Sequence, residues 1–195
     1  GNRCEKGSGI IRKNDMPNLF EYKLKRVFDY TSLSEEEAVN GTVGIPRALN
    51  IYENYPFWHT MFTKLGFRVV LSDPSSHSMF EKGMETISSD TVCYPAKLIH
   101  GHIENLAEKG VKRIFYPCVP FERKEFDNTN NHYNCPIVTS YPEVIKNNMD
   151  VLQEQGIEFI NFFVALDEPD FMPQKIMKEF GKYGITEQQA KEAAE

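Results

Sequence analysis

The stretch PAKLIHGHIENLAEKGVKRIFYPC, residues 95–118, decides the fold. Leu98, Ile99, Ile103, Leu106 and Ala107 recur at helical spacing, so 95–109 reads as an amphipathic helix. Gly110 stops it, and 111–116 (VKRIFY) follows as a strand. A helix of this length feeding a strand through a glycine is half of a βαβ unit. Pro117 and Cys118 then fall just past the strand's carboxyl end.

The same rhythm extends in both directions. Upstream, GTVGIP (41–46) reads as a short buried strand, 47–52 as helical, and 56–65 as a second helical piece with Pro56 in its first turn. Gly66 closes that piece, and RVVLS (68–72) is a β-branched strand. A loop at 73–76 leads into a short helix over 76–83. Downstream, an Asn-rich polar loop (120–134) precedes a short strand at 137–139, a helix over 142–153 and a long apolar strand over 157–165. Terminal helices are expected at 173–183 and 186–195. Before the first strand, LFEYKLKRVFDY (19–30) reads as a connector with one strand, and Ser34 with Glu37 as a capping-box turn. Strands alternating with helices predict an α/β fold: a mostly parallel sheet flanked by helices in Rossmann-like or flavodoxin-like layers. The expected division is a connector (1–40), an α/β domain (41–166) and C-terminal helices (167–195).

Composition agrees with a soluble globular chain. Of 195 residues, 41% are hydrophobic and 26% charged, close to ordinary usage. The net charge of −6 argues against a basic nucleic-acid binder. No run approaches the roughly 18 apolar residues of a membrane helix, and GNRCEKGSG at the start has no apolar signal core. The expected location is cytoplasmic. The sequence opens on Gly1 and closes within the helical run ITEQQAKEAAE, so it is expected to be part of a longer protein.

The cysteines carry the chemistry. Cys4, Cys93, Cys118 and Cys135 are separated by 88, 24 and 16 residues, with no CxxC pair. Reduced thiols packed as small apolar groups and a metal or cluster site both remain open on spacing alone. Ligands of open α/β sheets bind outside the carboxyl ends of the strands. Cys118 belongs at that edge, and Cys93 does too if it heads the 95–109 helix, where free amides favour a thiolate. Cys135 precedes its expected strand and reaches the edge only if the Asn-rich loop folds back. Prolines beside each of these cysteines (Pro95, Pro117, Pro120, Pro136) stiffen the segments that present them.

Other residues have weaker readings. Lys97 could offset negative charge near Cys93, or be a surface lysine. His100 and His102 are two apart, face different sides of the helix and read as structural. His132 could add a fourth ligand beside Cys135, or be a plain loop histidine. Arg47, at a strand's carboxyl edge, could hold an anion such as a CoA phosphate, with a surface ion pair as the simpler reading. Glu122 has no carboxylate partner at a telling spacing, and no catalytic residue is assigned. Tyr52, Tyr55, Phe57, Trp58 and Phe62 read as core packing.

Three segments, GTVGIPRALNIYENYPFWHTMFTKLGFRVVLSDPSS (41–76), SSDTVCYPAKLIHGHIENLAEKGVKRIFYPCVPFE (88–122) and NCPIVTSYPEVI (134–145), resemble the middle domain of the large CoA-substrate-specific enzyme activases. Those are related to 2-hydroxyacyl-CoA dehydratase activators and double-cubane-cluster reductases. The resemblance implies ATPase (activase) domains upstream in the same chain, and a fold like that of cluster-binding dehydratase subunits. It implies Cys93, Cys118 and Cys135 as ligands of an iron–sulfur cluster, most simply [4Fe–4S]. The implied function is low-potential electron transfer linked to 2-hydroxyacyl-CoA dehydratase-like chemistry, with a CoA thioester as substrate; a homodimer is compatible with it. The chain has no glycine-rich nucleotide loop. A cofactor-free binding or scaffolding domain is the alternative, and a zinc site from the three cysteines and one histidine is a third.

Overall fold

The computed structural model describes residues 16–195. Cys4 lies outside the described residues. The first element, α1 (Leu19–Phe28), is a helix where the sequence suggests a connector with one strand. Asn18 caps it by accepting from the Glu21 N–H at 3.2 Å. Its partly buried residues Leu24, Val27 and Phe28 lie at spacings of three and four, which suits a helix rather than an alternating strand. The Ser34–Glu37 capping box forms, with both reciprocal bonds present, but encloses only a turn before β1 (Thr42–Ile45).

The two helical pieces expected on either side of Pro56 are one helix, α2 (Ile51–Lys64), with Pro56 inside it. The proline costs the Tyr52 carbonyl its usual donor. The helix persists because Ile51, Tyr55, Trp58, Met61 and Phe62 form one buried face. Gly66, at φ +74°, ends it in the left-handed conformation that glycine adopts freely. Next come β2 (Arg68–Leu71), α3 (His77–Gly83), α4 (Tyr94–Glu108) and β3 (Arg113–Phe115).

Residues 137–139, expected as a strand, open a helix: α5 (Pro136–Asn148), headed by Cys135. The β-branched run Ile137-Val138-Thr139 misleads. Pro136 at the first helical position and the buried stripe Val138, Tyr141, Ile145 decide for the helix. A short α6 (Val151–Glu154) follows, then β4 (Glu158–Ile160), much shorter than the apolar run 157–165, then α7 (Met172–Phe180) and α8 (Glu187–Ala194).

Among the described residues the sheet has four parallel strands in the order β2-β1-β3-β4. One face carries α2, α7 and α8: Phe115 of β3 packs on Phe62, and Phe62 on Phe180, at ring-centroid distances of 4.9 and 5.4 Å. The other carries α4 and α5. Gly44 of β1 faces α4 so closely that a Cβ would stand 3.1 Å from Leu106 and 2.8 Å from Val111. Residues Met172, Ile176, Phe180, Ile185, Ala190 and Ala193 join the same hydrophobic core as the sheet. The chain leaves β1 towards β2 and leaves β3 in the opposite direction, towards β4. The carboxyl ends of β1 and β3 therefore flank a topological switch point.

Candidate functional site

The pleat of the sheet decides where the residues leaving β3 point. Phe115 packs on Trp58 and Phe62 of α2, with centroids 4.8 and 4.9 Å away. Side chains alternate along an extended chain, so Ile114, Tyr116 and Cys118 turn to the opposite face, that of α4 and α5. The chain stays extended past β3. The Tyr116 N–H donates to the Ile160 carbonyl at 2.9 Å, the Cys118 N–H to that of Phe162 at 3.0 Å, and the Val164 N–H to that of Cys118 at 2.9 Å.

Cys93 and Cys135 head α4 and α5 as N-caps, each with a proline in the first turn behind it and no side-chain capping bond. Both are exposed, whereas Cys118 is buried. The two helices connect parallel strands, so both start at the carboxyl edge of the sheet. A hydrogen bond of 2.9 Å from α4 to α5, between His100 Nε2 and the Tyr141 hydroxyl, ties them together. Cys93 lies two turns before His100, on the same helix face, and Cys135 lies just under two turns before Tyr141. Packed helices stand about 8–10 Å apart, so the heads of α4 and α5 are neighbours at this edge.

The Asn-rich loop folds back over this edge. Phe121 and Tyr133 form an antiparallel bridge. Asn134 donates its side-chain amide to the Val119 carbonyl at 3.0 Å and to Glu122 Oε1 at 2.6 Å. Its N–H donates to the Pro120 carbonyl at 2.9 Å. Glu122 also accepts from the Asn50 and Asn54 amides at 3.3 and 2.9 Å. This clasp fixes the segment after Cys118 against the segment before Cys135.

Burial dominates the electrostatics of the groups at this edge. Tyr116 is fully buried, and its hydroxyl has no hydrogen-bond partner among the described residues. Its pKa is raised well above the usual value, first by burial and then by Cys118, Tyr141, Cys135 and Cys93. Burial also pushes the Cys118 thiol up to about 11, with the Glu143 charge adding to it. The Tyr141 hydroxyl is raised by burial and then by Cys93. His100 is driven down to about 4 by burial. The Thr86 hydroxyl donates to the Gly83 carbonyl at 3.0 Å, so it accepts from His100 Nδ1 at 2.8 Å. His100 Nε2 is then the acceptor for the Tyr141 proton.

No group of three or more His, Cys, Asp or Glu side chains among the described residues is drawn together closely enough for one metal ion. A tetrahedral zinc site needs sulfurs about 4 Å apart, from metal–sulfur bonds of about 2.3 Å. An iron–sulfur cluster is likewise held by cysteine thiolates, each on its own iron. Cys93, Cys118 and Cys135 share the residue type of that donor set.

The remaining candidates have other partners. Lys97 donates to the Asp90 carbonyl at 2.8 Å, tethering the loop ahead of Cys93. His102 is buried between Ser72 and Ser75, at 2.8 and 3.0 Å. His132 meets Asp167 at 3.1 Å. Arg47 makes no ion pair among the described residues, against the expectation of one; its guanidinium lies 4.6 Å from the centre of the Phe28 ring, with Nε unpartnered. Tyr55, Trp58 and Phe62 are core as expected, and Tyr52 and Phe57 are half-buried. Reading the sequence missed Tyr116, Tyr141 and Asn134. Tyr116 was recoverable, standing two residues before Cys118 on a strand. Tyr141 was hidden by the misread start of α5.

The fold defines an α/β domain of strand order 2-1-3-4 with Cys93 and Cys135 capping α4 and α5 and Cys118 following β3. Residues 42–195 match the family described as the CoA enzyme activase uncharacterised domain (DUF2229), and the chain belongs to that family. No curated protein and no solved structure matches it. No helix among the described residues is long and apolar enough to cross a membrane.

Proposed function

We propose that this activase domain is an iron–sulfur module in which Cys93, Cys118 and Cys135 hold the cluster, most simply [4Fe–4S]. In the proposed setting, ATPase domains upstream deliver a low-potential electron, which passes on to 2-hydroxyacyl-CoA dehydratase-like chemistry on a CoA thioester. Relatives among double-cubane-cluster reductases and a middle position in the longer chain belong to the same proposal. What supports the reading is topology: Cys93 and Cys135 cap α4 and α5, and Cys118 follows β3, at the carboxyl edge of one parallel sheet.

Bound there, a cluster supplies one-electron transfer at a potential set by burial and hydrogen bonding. The residues contribute the rest. Cys93 and Cys135 stand at the heads of α4 and α5, where the first-turn amides are open to the edge. Cys118 is held as a thiol by burial, so loading must release its proton, and uptake should rise with pH. The Glu122–Asn134 clasp keeps Cys118 and Cys135 in register. Anaerobic incubation of the chain with iron and sulfide tests the proposal, read by metal and sulfide content, visible absorption and EPR. Wild type is expected to take up both, and Cys93→Ala, Cys118→Ala and Cys135→Ala to lose most of the uptake. Wild type without iron and sulfide would leave the cofactor-free scaffold.

A further inference from the structure

A cleft of about 560 Å³ lies where β1 and β2 end, with α1 as its outer wall. It is lined by Leu24 and Phe28 of α1, Arg47 after β1, Tyr52 of α2 and Ser75 after β2. That size suits a small organic ligand. Arg47 is the lining charge left over. Its guanidinium lies 4.6 Å from the centre of the Phe28 ring, and stacking of this kind uses a flat face and leaves the in-plane N–H donors open. Among the described residues it has no ion pair, and its Nε has no hydrogen-bond partner. The other lining charges are paired, Lys25 with Glu21 at 2.9 Å and Asp29 with Arg26 at 3.7 Å. Asp73, beside the cleft, is taken by Lys109 at 2.8 Å. A cleft of about 600 Å³ at the amino edge differs, because its Arg68 and Arg113 face Glu35 and Glu158 at 3.2 and 2.9 Å.

A buried relay holds the two sides of this cleft in place. The Arg47 N–H donates to the Ser72 hydroxyl at 2.8 Å, and Ser72 meets His102 Nδ1 at 2.8 Å. His102 Nε2 meets the Ser75 hydroxyl at 3.0 Å, and Ser75 meets the Tyr52 hydroxyl at 3.2 Å. With the Ser72 proton on Nδ1, Nε2 donates to Ser75. Ser75 and Tyr52 then have two protons and one mutual bond, so one O–H is free to turn into the cleft. Leu49, two residues after Arg47, takes φ +45°, a left-handed conformation that a β-carbon disfavours. We infer that this cleft is a binding site for a small phosphate ester: Arg47 takes the phosphate oxygens, a Ser75 or Tyr52 hydroxyl adds a further donor, and Leu24 and Phe28 receive a flat apolar part of the molecule. Arginine offers paired donors that match a phosphate, and a phosphate has three terminal oxygens for the guanidinium and hydroxyl together. The site uses none of the cysteines and stands apart from the function proposed above.

Phenyl phosphate, which joins a phosphate to a flat ring, is the probe. Calorimetric titration of the chain, with the arginine side-chain N–H signals followed by NMR, should show binding at millimolar concentration or below and a shift of the Arg47 signal. Phenol, without the anion, should not bind, and benzoate, with two oxygens, should bind several-fold more weakly. Arg47→Met should weaken phenyl phosphate binding about tenfold or more, and Arg47→Lys, which keeps the charge but not the paired donors, by a smaller factor. Ser75→Ala removes a hydroxyl from an exposed loop and leaves Arg47 intact; it should weaken binding several-fold, which keeps the test open if Arg47→Met does not fold. Wild type that shows no binding, or binding with no Arg47 shift, would overturn the site. Arg47→Met with wild-type affinity would do the same. Benzoate binding as tightly as phenyl phosphate would overturn the assignment to a phosphate.

Discussion

Acidification from pH 7 to pH 5 should destabilise this domain through two histidines of one helix. His100 and His102 are both completely buried in α4. Burial lowers each to about 4, with Arg47 as a further cause for His102. An unfolded histidine titrates near 6.5. The folded pKa is depressed, so the unfolded chain binds more protons between these values and stability is lost as pH falls through that window. With those two values, each ring contributes about 1.8 kcal/mol between pH 7 and pH 5, or about 3.5 kcal/mol for the pair. Relaxation around a charged ring lowers the expected loss to roughly 2–3 kcal/mol, set against a usual total of 5–15 kcal/mol. Glu158 does not contribute in this window, because its carboxyl is held at about 2 and titrates at lower pH. His59 is shifted the same way by burial and is left in place in every protein compared. Urea unfolding followed by circular dichroism at pH 7, 6 and 5 measures the slope. The double variant His100→Gln, His102→Gln keeps neutral polar side chains and should lose most of it. A double variant with the same pH slope as wild type would refute the reasoning.

Gly101→Ala should cost more than about 3 kcal/mol or prevent folding, because a Cβ there would stand 1.7 Å from the Met79 carbonyl oxygen where α3 crosses α4. Gly110→Ala, with φ +75° but open space around it, should cost only about 1–2 kcal/mol; thermal unfolding of the two variants tests the contrast. Glu122→Leu leaves the amides of Asn50, Asn54 and Asn134 without their acceptor, and a loss of about 2–3 kcal/mol is expected in urea. Glu158→Gln should flatten the stability loss between pH 4.5 and pH 2. Burial opposes the Glu158 charge, but bonds from Lys182, Tyr183 and Arg113 outweigh it, and partial exposure limits the effect to about 1–2 kcal/mol. Iron and sulfide uptake should rise from pH 7 to pH 9, as the Cys118 proton becomes easier to remove; an uptake flat with pH would argue that Cys118 is no ligand.

The parallel sheet was legible because helix and strand periods alternate cleanly from Thr42 to Phe115, and glycines mark the joints. Errors fell where proline or β-branched residues sent a misleading local signal. Pro56 and Pro142 sit inside helices that a buried face sustains. Ile137-Val138-Thr139 has the composition of a strand but starts a helix, because Pro136 suits the first helical position and Val138 and Tyr141 face the core. Local propensity is a weak prior that tertiary packing overrides. The site was half legible. Cys93 and Cys118 could be placed from the rhythm of elements, but Cys135 needed the loop contacts of Asn134 and Glu122, which no spacing encodes.

That correction strengthens the argument for the edge. Were 137–139 a strand, Cys135 would enter it from the amino end, the wrong side of a parallel sheet. As the cap of α5, Cys135 stands where α4 places Cys93, since both helices link parallel strands and both begin at the carboxyl edge. Both pack on the face that Tyr116 and Cys118 address, because the route from β2 over β1 to β3 and the route from β3 to β4 run in one direction across the sheet. Right-handed crossovers running the same way place their helices on the same face. Chain topology thus brings the heads of α4 and α5 and the end of β3 to one side of one edge, before any side chain chooses a rotamer.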